Sequence, residues 1–197
     1  MQDDASLTAS NTMTLGMIDK AKEMAITATP VVRPIDASGK SEIGDYNTAV
    51  QEGKYIAYLH PFQVTDLRTN TSTGQWLDIQ KAAMTGDGSA KNPIMRGALG
   101  EYNGVIIKSA FDVTTGVALS GAAAPNVRRA VFLGAQAAVV GYGMKHAGGK
   151  YLWNEELFDH KRRLEVSALS VWGLKKTRFN GIDYGVVVMS TWAQAHT

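Results

Sequence analysis

An α+β fold in one folding unit is predicted for this chain by three stretches of different period. Apolar residues recur at helical spacing between Thr14 and Ala28. An unbroken β-branched run stands at Val105, Ile106 and Ile107, and the C-terminal part is rich in strand formers that turn back at Asn180-Gly181. At 197 residues there is material for one well-filled core, or for one core plus a lobe.

Bulk composition excludes more than it assigns. Lys and Arg number 20 against 18 Asp and Glu, and a net +2 is too small to steer the whole molecule onto nucleic acid or an anionic membrane. The charge is uneven: residues 1–60 carry five basic and eight acidic side chains, and residues 61–197 carry fifteen and ten. The two portions can therefore attract each other, or a neighbouring copy. The absence of cysteine rules out disulfides and thiolate metal sites. Met1 is followed by Gln2, Asp3 and Asp4 rather than by a basic and then an apolar segment. No run approaches the roughly 18 apolar residues of a membrane span, so the expectation is a soluble, unexported protein with no membrane partner.

Residues 1–13 are polar and unpatterned, which predicts a flexible lead-in. From Thr14 to Ala28, Met17, Ile18, Ala21, Met24, Ala25 and Ala28 fall on one side of a helix, with Asp19, Lys20, Lys22, Glu23 and Thr27 on the other; Pro30 ends it. Such a rod is about 22 Å long. Residues 33–53 lack a sustained period and read as an exposed excursion. Gly39-Lys40-Ser41 there is no phosphate loop, because Pro34 stands where the first glycine belongs and no apolar strand precedes it.

Tyr55 to Leu59 alternates as a short strand. His60-Pro61 then opens a helix of about two turns to Leu67, with proline where its missing N–H costs nothing. Thr73 is placed to cap a short helix through Met84 that buries Trp76, Ile79 and Ala83, closed by Gly86 and Gly88. Gly97, Gly100 and Gly104 punctuate the approach to Val105–Ile107, a run suited to a strand buried on both faces. Asp112 to Pro125, small and nearly uncharged, reads as a mobile loop. Arg128 to Leu133 reads as a strand, Gly134 to Ala138 as a tight turn, and Val139 to Tyr142 continues the apolar path. Gly141-Tyr142-Gly143 begins like a dinucleotide fingerprint, but His146 replaces its third glycine.

Leu164, Val166 and Ala168 alternate with polar residues, and the phase then slips so that Leu169 and Val171 are apolar, as a bulge or a change of partner would produce. A long bent strand is expected there. Asn180-Gly181 accepts positive φ at both positions of a two-residue hairpin turn, and Tyr184 to Met189 is the returning strand. The basic groups Lys161-Arg162-Arg163 and Lys175-Lys176-Thr177-Arg178 lie among Glu155, Glu156, Asp159 and Glu165. That mixture favours solvated faces or ion pairs between subunits over a nucleic-acid groove.

No spaced carboxylate pair, nucleophile elbow or metal-ligand cluster is spelled, and the four histidines are scattered singly, so neither catalysis nor a cofactor is expected. His60 and Asp66 could be drawn as a base and its carboxylate beside Ser109, but capping and pairing are their commoner roles. A β-rich nucleic-acid-binding module using the hairpin Lys175 to Arg178 is the alternative.

Five blocks in order carry a resemblance: Leu59-His60-Pro61-Phe62-Gln63-Val64-Thr65-Asp66-Leu67-Arg68, Trp76-Leu77-Asp78-Ile79-Gln80-Lys81-Ala82-Ala83, Gly97-Ala98-Leu99-Gly100-Glu101-Tyr102-Asn103-Gly104-Val105, Leu133-Gly134-Ala135-Gln136-Ala137-Ala138-Val139-Val140, and Gly173-Leu174-Lys175-Lys176-Thr177-Arg178-Phe179-Asn180-Gly181. Together they resemble the major capsid proteins of tailed phages of the N-four type, and the resemblance covers about Thr14 to Trp192. The resemblance implies the Hong Kong 97-type capsid fold, with the spine helix and excursion over 14–52 in a peripheral lobe, an axial lobe over 53–143, and C-terminal strands over 144–197 returning to the peripheral lobe. The family's N-terminal arm and extended hairpin precede the spine, and this chain starts almost at that helix, so both are expected to be missing.

The implied role is a structural subunit of an icosahedral phage or prophage head. Its partners are copies of itself in pentamers and hexamers, encapsidated DNA held without sequence specificity, and portal and scaffold proteins. Its place is the virion, after assembly in the host cytoplasm. Candidates for the contacts between subunits are Arg68 and Trp76 in the axial lobe, Glu101 and Tyr102 at the glycine-rich turn, and Lys161, Arg162 and Arg163 on the peripheral side.

Overall fold

The computed structural model describes residues 3–35, 53–72, 74–75, 100–143 and 151–196. Of the helix expected from Thr73 to Met84 only Gly74 and Gln75 are described, in a turn, and the Gly39-Lys40-Ser41 segment, Trp76, Gly97 and His146 lie outside the described residues. The described chain forms two compact units, residues 1–135 with 185–197, and residues 136–184. These lines differ from the four segments drawn from the resemblance, because the last long strand is hydrogen-bonded into the first unit.

The first unit is a six-stranded sheet with helices packed on one face. Helix α1 (Leu15–Thr27) starts after Thr14, whose backbone is extended, and stops before the extended Ala28. Its buried stripe is Leu15, Ile18, Ala21, Lys22 and Ala25. Two expected positions are corrected. Met24 is 53% exposed, and Lys22, assigned to the polar side, is buried. The lysine stem lies along the core while its Nζ donates to Asn103 O at 2.7 Å and Asn103 Oδ1 at 3.1 Å. Strand β1 (Tyr55–Leu59) alternates as expected, with Tyr55, Ala57 and Leu59 fully buried. Helix α2 (Pro61–Thr69) follows, with His60 as N-cap. Its cap is reciprocal: His60 Nδ1 accepts from Phe62 N, and Gln63 Oε1 accepts from His60 N at 2.9 Å.

The glycine-rich approach is a tight hairpin rather than an open turn. Strand β2 (Gly100–Tyr102) pairs antiparallel with β3 (Val105–Ser109) across Asn103 and Gly104, whose φ values of 47° and 71° suit a two-residue turn. Val105 and Ile107 are buried but Ile106 is only half-buried, so the run is not covered on both faces. The helical face of the sheet takes alternate residues, and periodicity alone does not reveal that. Strand β3 lies parallel to β1.

Strand β5 (Ala123–Leu133) is long enough to serve three partners: β1 and β12 (Val186–Trp192) along its C-terminal part, and β4 (Thr115–Val117) mainly toward its N-terminal end. The expected mobile loop from Asp112 to Pro125 thus holds β4 and the start of β5. Backbone pairing there needs no apolar side chains, which is why composition hid it. The lead-in is also ordered. A 3₁₀ turn at Asp4–Ser6 packs against β4 and β5, Asp4 is buried, and Met13 is fully buried in the core.

The core gathers Leu15, Ile18, Tyr55, Leu59, Val105, Ile107 and Phe132 under the helices. Tyr55 stacks on Phe132 with ring centroids 5.0 Å apart and donates its hydroxyl to Val32 O at 2.9 Å. Beside them, a Cβ at Gly134 would lie 2.3 Å from Val32 Cγ1 and 2.7 Å from Arg33 O. Gly134→Ala is therefore expected to lower the unfolding free energy by about 1–3 kcal/mol, measured by urea denaturation, because part of the obstruction is backbone. A loss below a few tenths would mean the Val31–Arg33 segment yields freely.

The second unit is a two-stranded ribbon in two sections plus a small hairpin. Strand β6 (Ala138–Tyr142) pairs with β9 (Trp172–Lys176), and β7 (Leu152–Phe158) with β8 (Arg163–Leu169). The phase slip after Ala168 marks this change of partner, and the long bent strand is in fact β8 and β9. The turn at Asn180-Gly181 is formed as expected, with φ of 52° and 81°, between β10 (Arg178–Phe179) and β11 (Ile182–Asp183). The strand expected from Tyr184 begins at Val186 instead, after Gly185 at φ 75°.

Candidate assembly surface

In the β7–β8 ribbon the register sorts side chains onto two unlike faces. Trp153 stands opposite Ala168, Glu155 opposite Val166, and Leu157 opposite Leu164 on one face. The other face is mixed, with Leu152 opposite Leu169, Asn154 opposite Ser167, Glu156 opposite Glu165 and Phe158 opposite Arg163. The first face is apolar yet open: Trp153 is 62% and Leu164 61% exposed. Its one carboxylate, Glu155, accepts from the Trp153 indole at 2.7 Å. The second face places two like charges directly across from each other, a destabilising pair in an isolated ribbon. At the tip, Asp159, His160 and Lys161 all have positive φ, and Arg162 N closes the turn on Asp159 O at 3.0 Å.

The sequence-predicted contact residues divide between the units. Lys161, Arg162 and Arg163 are contiguous and exposed at the ribbon tip. Arg68 is exposed in the last turn of α2. Glu101 is exposed on β2 and forms an ion pair with Lys54 at 2.9 Å. Tyr102 is half-buried and donates to Asp19 Oδ2 at 2.8 Å; burial and that carboxylate both raise its pKa. Trp76 is outside the described residues. The exposed apolar side chains Trp153, Leu157, Leu164 and Val166 were not singled out as contacts from the sequence. The alternation of 164–168 was visible, but alternation marks a half-covered strand without saying what covers it.

The other sketched sites are taken up internally. His60 is buried at its cap, and burial followed by the nearby Arg128 charge lowers its pKa. Asp66 does not orient it; its Oδ1 is bonded to His196 Nε2 at 2.9 Å, and burial, only partly offset by His196, raises the carboxyl pKa. In the basic hairpin, Lys176 and Arg178 both pair with Asp183, whose pKa is lowered first by the Lys176 hydrogen bond. Arg178 also donates to Gly181 O at 2.6 Å. These cations hold their own turn together.

The chain is similar to three solved heads. Against the capsid of Ralstonia phage GP4 the TM-score is 0.64 at 34% identity, over 98% of this chain and 51% of that one. Against the cyanophage Pam1 capsid asymmetric unit it is 0.67 at 23%, over 95% and 48%. Against the head structure of Helicobacter pylori bacteriophage KHP40 it is 0.61 at 16%, over 97% and 63%. The chain thus spans about half to three-fifths of the length of the structures it matches. No curated protein matches it. The architecture is the Hong Kong 97-like α+β capsid fold. The family profile described as "Phage capsid protein" matches residues 1–195, and by that match the chain belongs to the phage capsid proteins.

Proposed function

We propose that this chain is a structural subunit of an icosahedral phage or prophage head. It self-associates through heterologous contacts into pentamers and hexamers that enclose double-stranded DNA without reading its sequence. The observation that carries this reading is the β7–β8 ribbon, which exposes a row of large apolar side chains on a two-stranded element that cannot bury them by itself. A shell protein needs such repeated edges, each modest, with strength coming from many simultaneous engagements. The small net charge agrees with DNA held by enclosure rather than by steering. Arg68, Glu101 and the tip residues Lys161, Arg162 and Arg163 are the exposed polar candidates for the rims of those contacts, with Tyr102 and Trp76 as further candidates. Portal and scaffold proteins are the expected further partners, the host cytoplasm the place of assembly and the virion the final location.

Negative-stain microscopy of the purified chain at high concentration is expected to show rings, sheets or shells. A particle that stays monomeric at every concentration and salt condition would remove the self-assembly reading. The nucleic-acid-module alternative is not favoured, since Lys176 and Arg178 are already paired with Asp183.

A further inference from the structure

We infer that Arg128 and the start of α2 form a docking site for a side-chain carboxylate of a second copy, with Phe111 as its apolar flank. This rests on the head-subunit reading and names the chemistry of one of its contacts. The topology gathers the site. Strands β1 and β3 run parallel and end together at Leu59 and Ser109, where Ala110 N donates to Leu59 O at 2.9 Å. His60 and α2 follow the first strand, and Phe111 follows the second. Strand β5 runs antiparallel to β1 with Tyr58 opposite Val131, so its register carries Arg128 past the end of β1. Arg128 Cζ lies 5.9 Å from the centroid of the Phe62 ring. The His60 ring lies 4.5 Å from that of Phe62 and 6.0 Å from that of Phe111, between centroids. Gln63 Nε2 donates to Arg128 O at 3.1 Å and so fixes the helix to the strand.

The charges that meet there have one sign. Arg129 is paired with Asp4, but among the described residues no carboxylate pairs with Arg128, and its Nε is buried without a hydrogen-bond partner. The N-terminus of α2 adds the positive end of the helix dipole. His60 is buried, and its Nδ1 accepts from Phe62 N at 3.3 Å, so the ring proton sits on Nε2 as a further donor. A guanidinium held this way, with donors beside it and no counter-charge, is matched by an oxyanion.

A side-chain carboxylate fits better than a nucleic-acid phosphate. The guanidinium is recessed, with Arg128 only partly exposed and its Nε out of solvent reach, so the anion has to arrive on a slender arm and meet the terminal nitrogens. A duplex presents its phosphates on a broad cylinder. Phe111 points the same way: it is 81% exposed beside the site, and arginine with an aromatic ring is the pairing enriched at the centres of protein contacts. In a closed shell the recurrent neighbour is another copy. Glu156 and Glu165 are suitable donors, being exposed, directly opposite each other and without an ion pair to Arg163 on the same face.

The full chain carrying Arg128→Lys keeps a cation and gains an amine that a carbodiimide joins to any carboxylate in direct contact with it. Equal parts of isotope-labelled and unlabelled variant are brought to the concentration where the unaltered chain associates, coupled, digested and read by mass spectrometry. The expected product joins position 128 to an acidic residue across mixed labels, about tenfold more abundant in the associated sample than after dilution. Position 128 joined only within one chain, as to Asp112, or not joined at all, overturns the site. Arg128→Gln is expected to raise the concentration at which association begins by about tenfold and to leave the urea midpoint of the dispersed chain unchanged. A lower midpoint with unchanged association would make Arg128 a packing residue and overturn the inference. Binding of a short DNA duplex that Arg128→Gln abolishes would make phosphate the occupant and overturn it as well. Shells without mixed linkage at position 128 would remove this contact and leave the head-subunit reading standing. Mixed linkage in a chain that never closes into shells would do the reverse.

Discussion

Phe132→Ala is expected to lower the unfolding free energy of the first unit by about 3–5 kcal/mol, among the largest effects of any single truncation in the chain. The ring is fully buried near the C-terminal end of β5, between Ala57 of β1 and Val187 of β12 in the ladder. It also stacks on Tyr55, whose hydroxyl is tied to Val32 O and so cannot readily swing into the space. A rigid wall keeps the cavity open, which places the cost toward the upper part of that range. In urea the midpoint should move with little change of slope. A loss under about 1 kcal/mol would show that the helices collapse into the space, and the account of the core as a fixed interlock would fail.

Removing the Asp4 carboxylate, as in Asp4→Ala, is expected to cost about 2–3 kcal/mol at neutral pH, because this buried acid accepts charge-assisted hydrogen bonds from two directions. Val117 N donates to its Oδ2 at 3.0 Å and Arg129 Nε at 2.6 Å. Burial alone would raise its pKa; the Val117 amide, Arg129 and the Ser190 hydroxyl together outweigh burial and hold it below the ordinary 3.8. The stability it contributes is therefore present above the unfolded value and is lost as pH falls through the depressed folded one. Unfolding curves taken from neutral pH down to about pH 3 should fall more steeply for the unaltered chain than for the variant. Parallel curves would mean the carboxylate does not titrate with folding. Loss of this anchor also frees the 3₁₀ turn from β4, so Leu119 N, which donates to Asp3 Oδ1, should exchange faster with solvent.

What was legible in the sequence was local. The α1 boundaries, β1, the proline-led α2 and the Asn180-Gly181 turn each carry their own signal within a few residues, and each stands where it was expected. The same dipeptide at Asn103-Gly104 carries a weaker signal, because the strand before it is only three residues long. Lys22 and Met24 were exchanged between the faces of α1, since residue type outvoted geometry: the long lysine stem can lie along a core and deliver its charge to Asn103, and a methionine can face water. Strand β4 and the first half of β5 were hidden because they are held by backbone pairing and by an acid more than a hundred residues away in sequence.

The candidate surface was half legible for a different reason. The basic tip at Lys161, Arg162 and Arg163 was named from charge, whereas the apolar face beside it looked like any strand bound for a core. A strand whose apolar face is open and one whose apolar face is buried obey the same alternation. Only coordinates distinguish them, by showing Leu164 and Trp153 in the open.

Where the chain departs from the sheet and where it returns, Gly134 N meets Gly185 O at 2.9 Å, just beyond the Leu133–Val186 rung. For β5 and β12, the forty-nine residues between Gln136 and Tyr184 thus amount to the loop of one oversized hairpin. Lengthening or trimming that insertion changes the closure entropy only logarithmically and leaves every rung of the ladder in register.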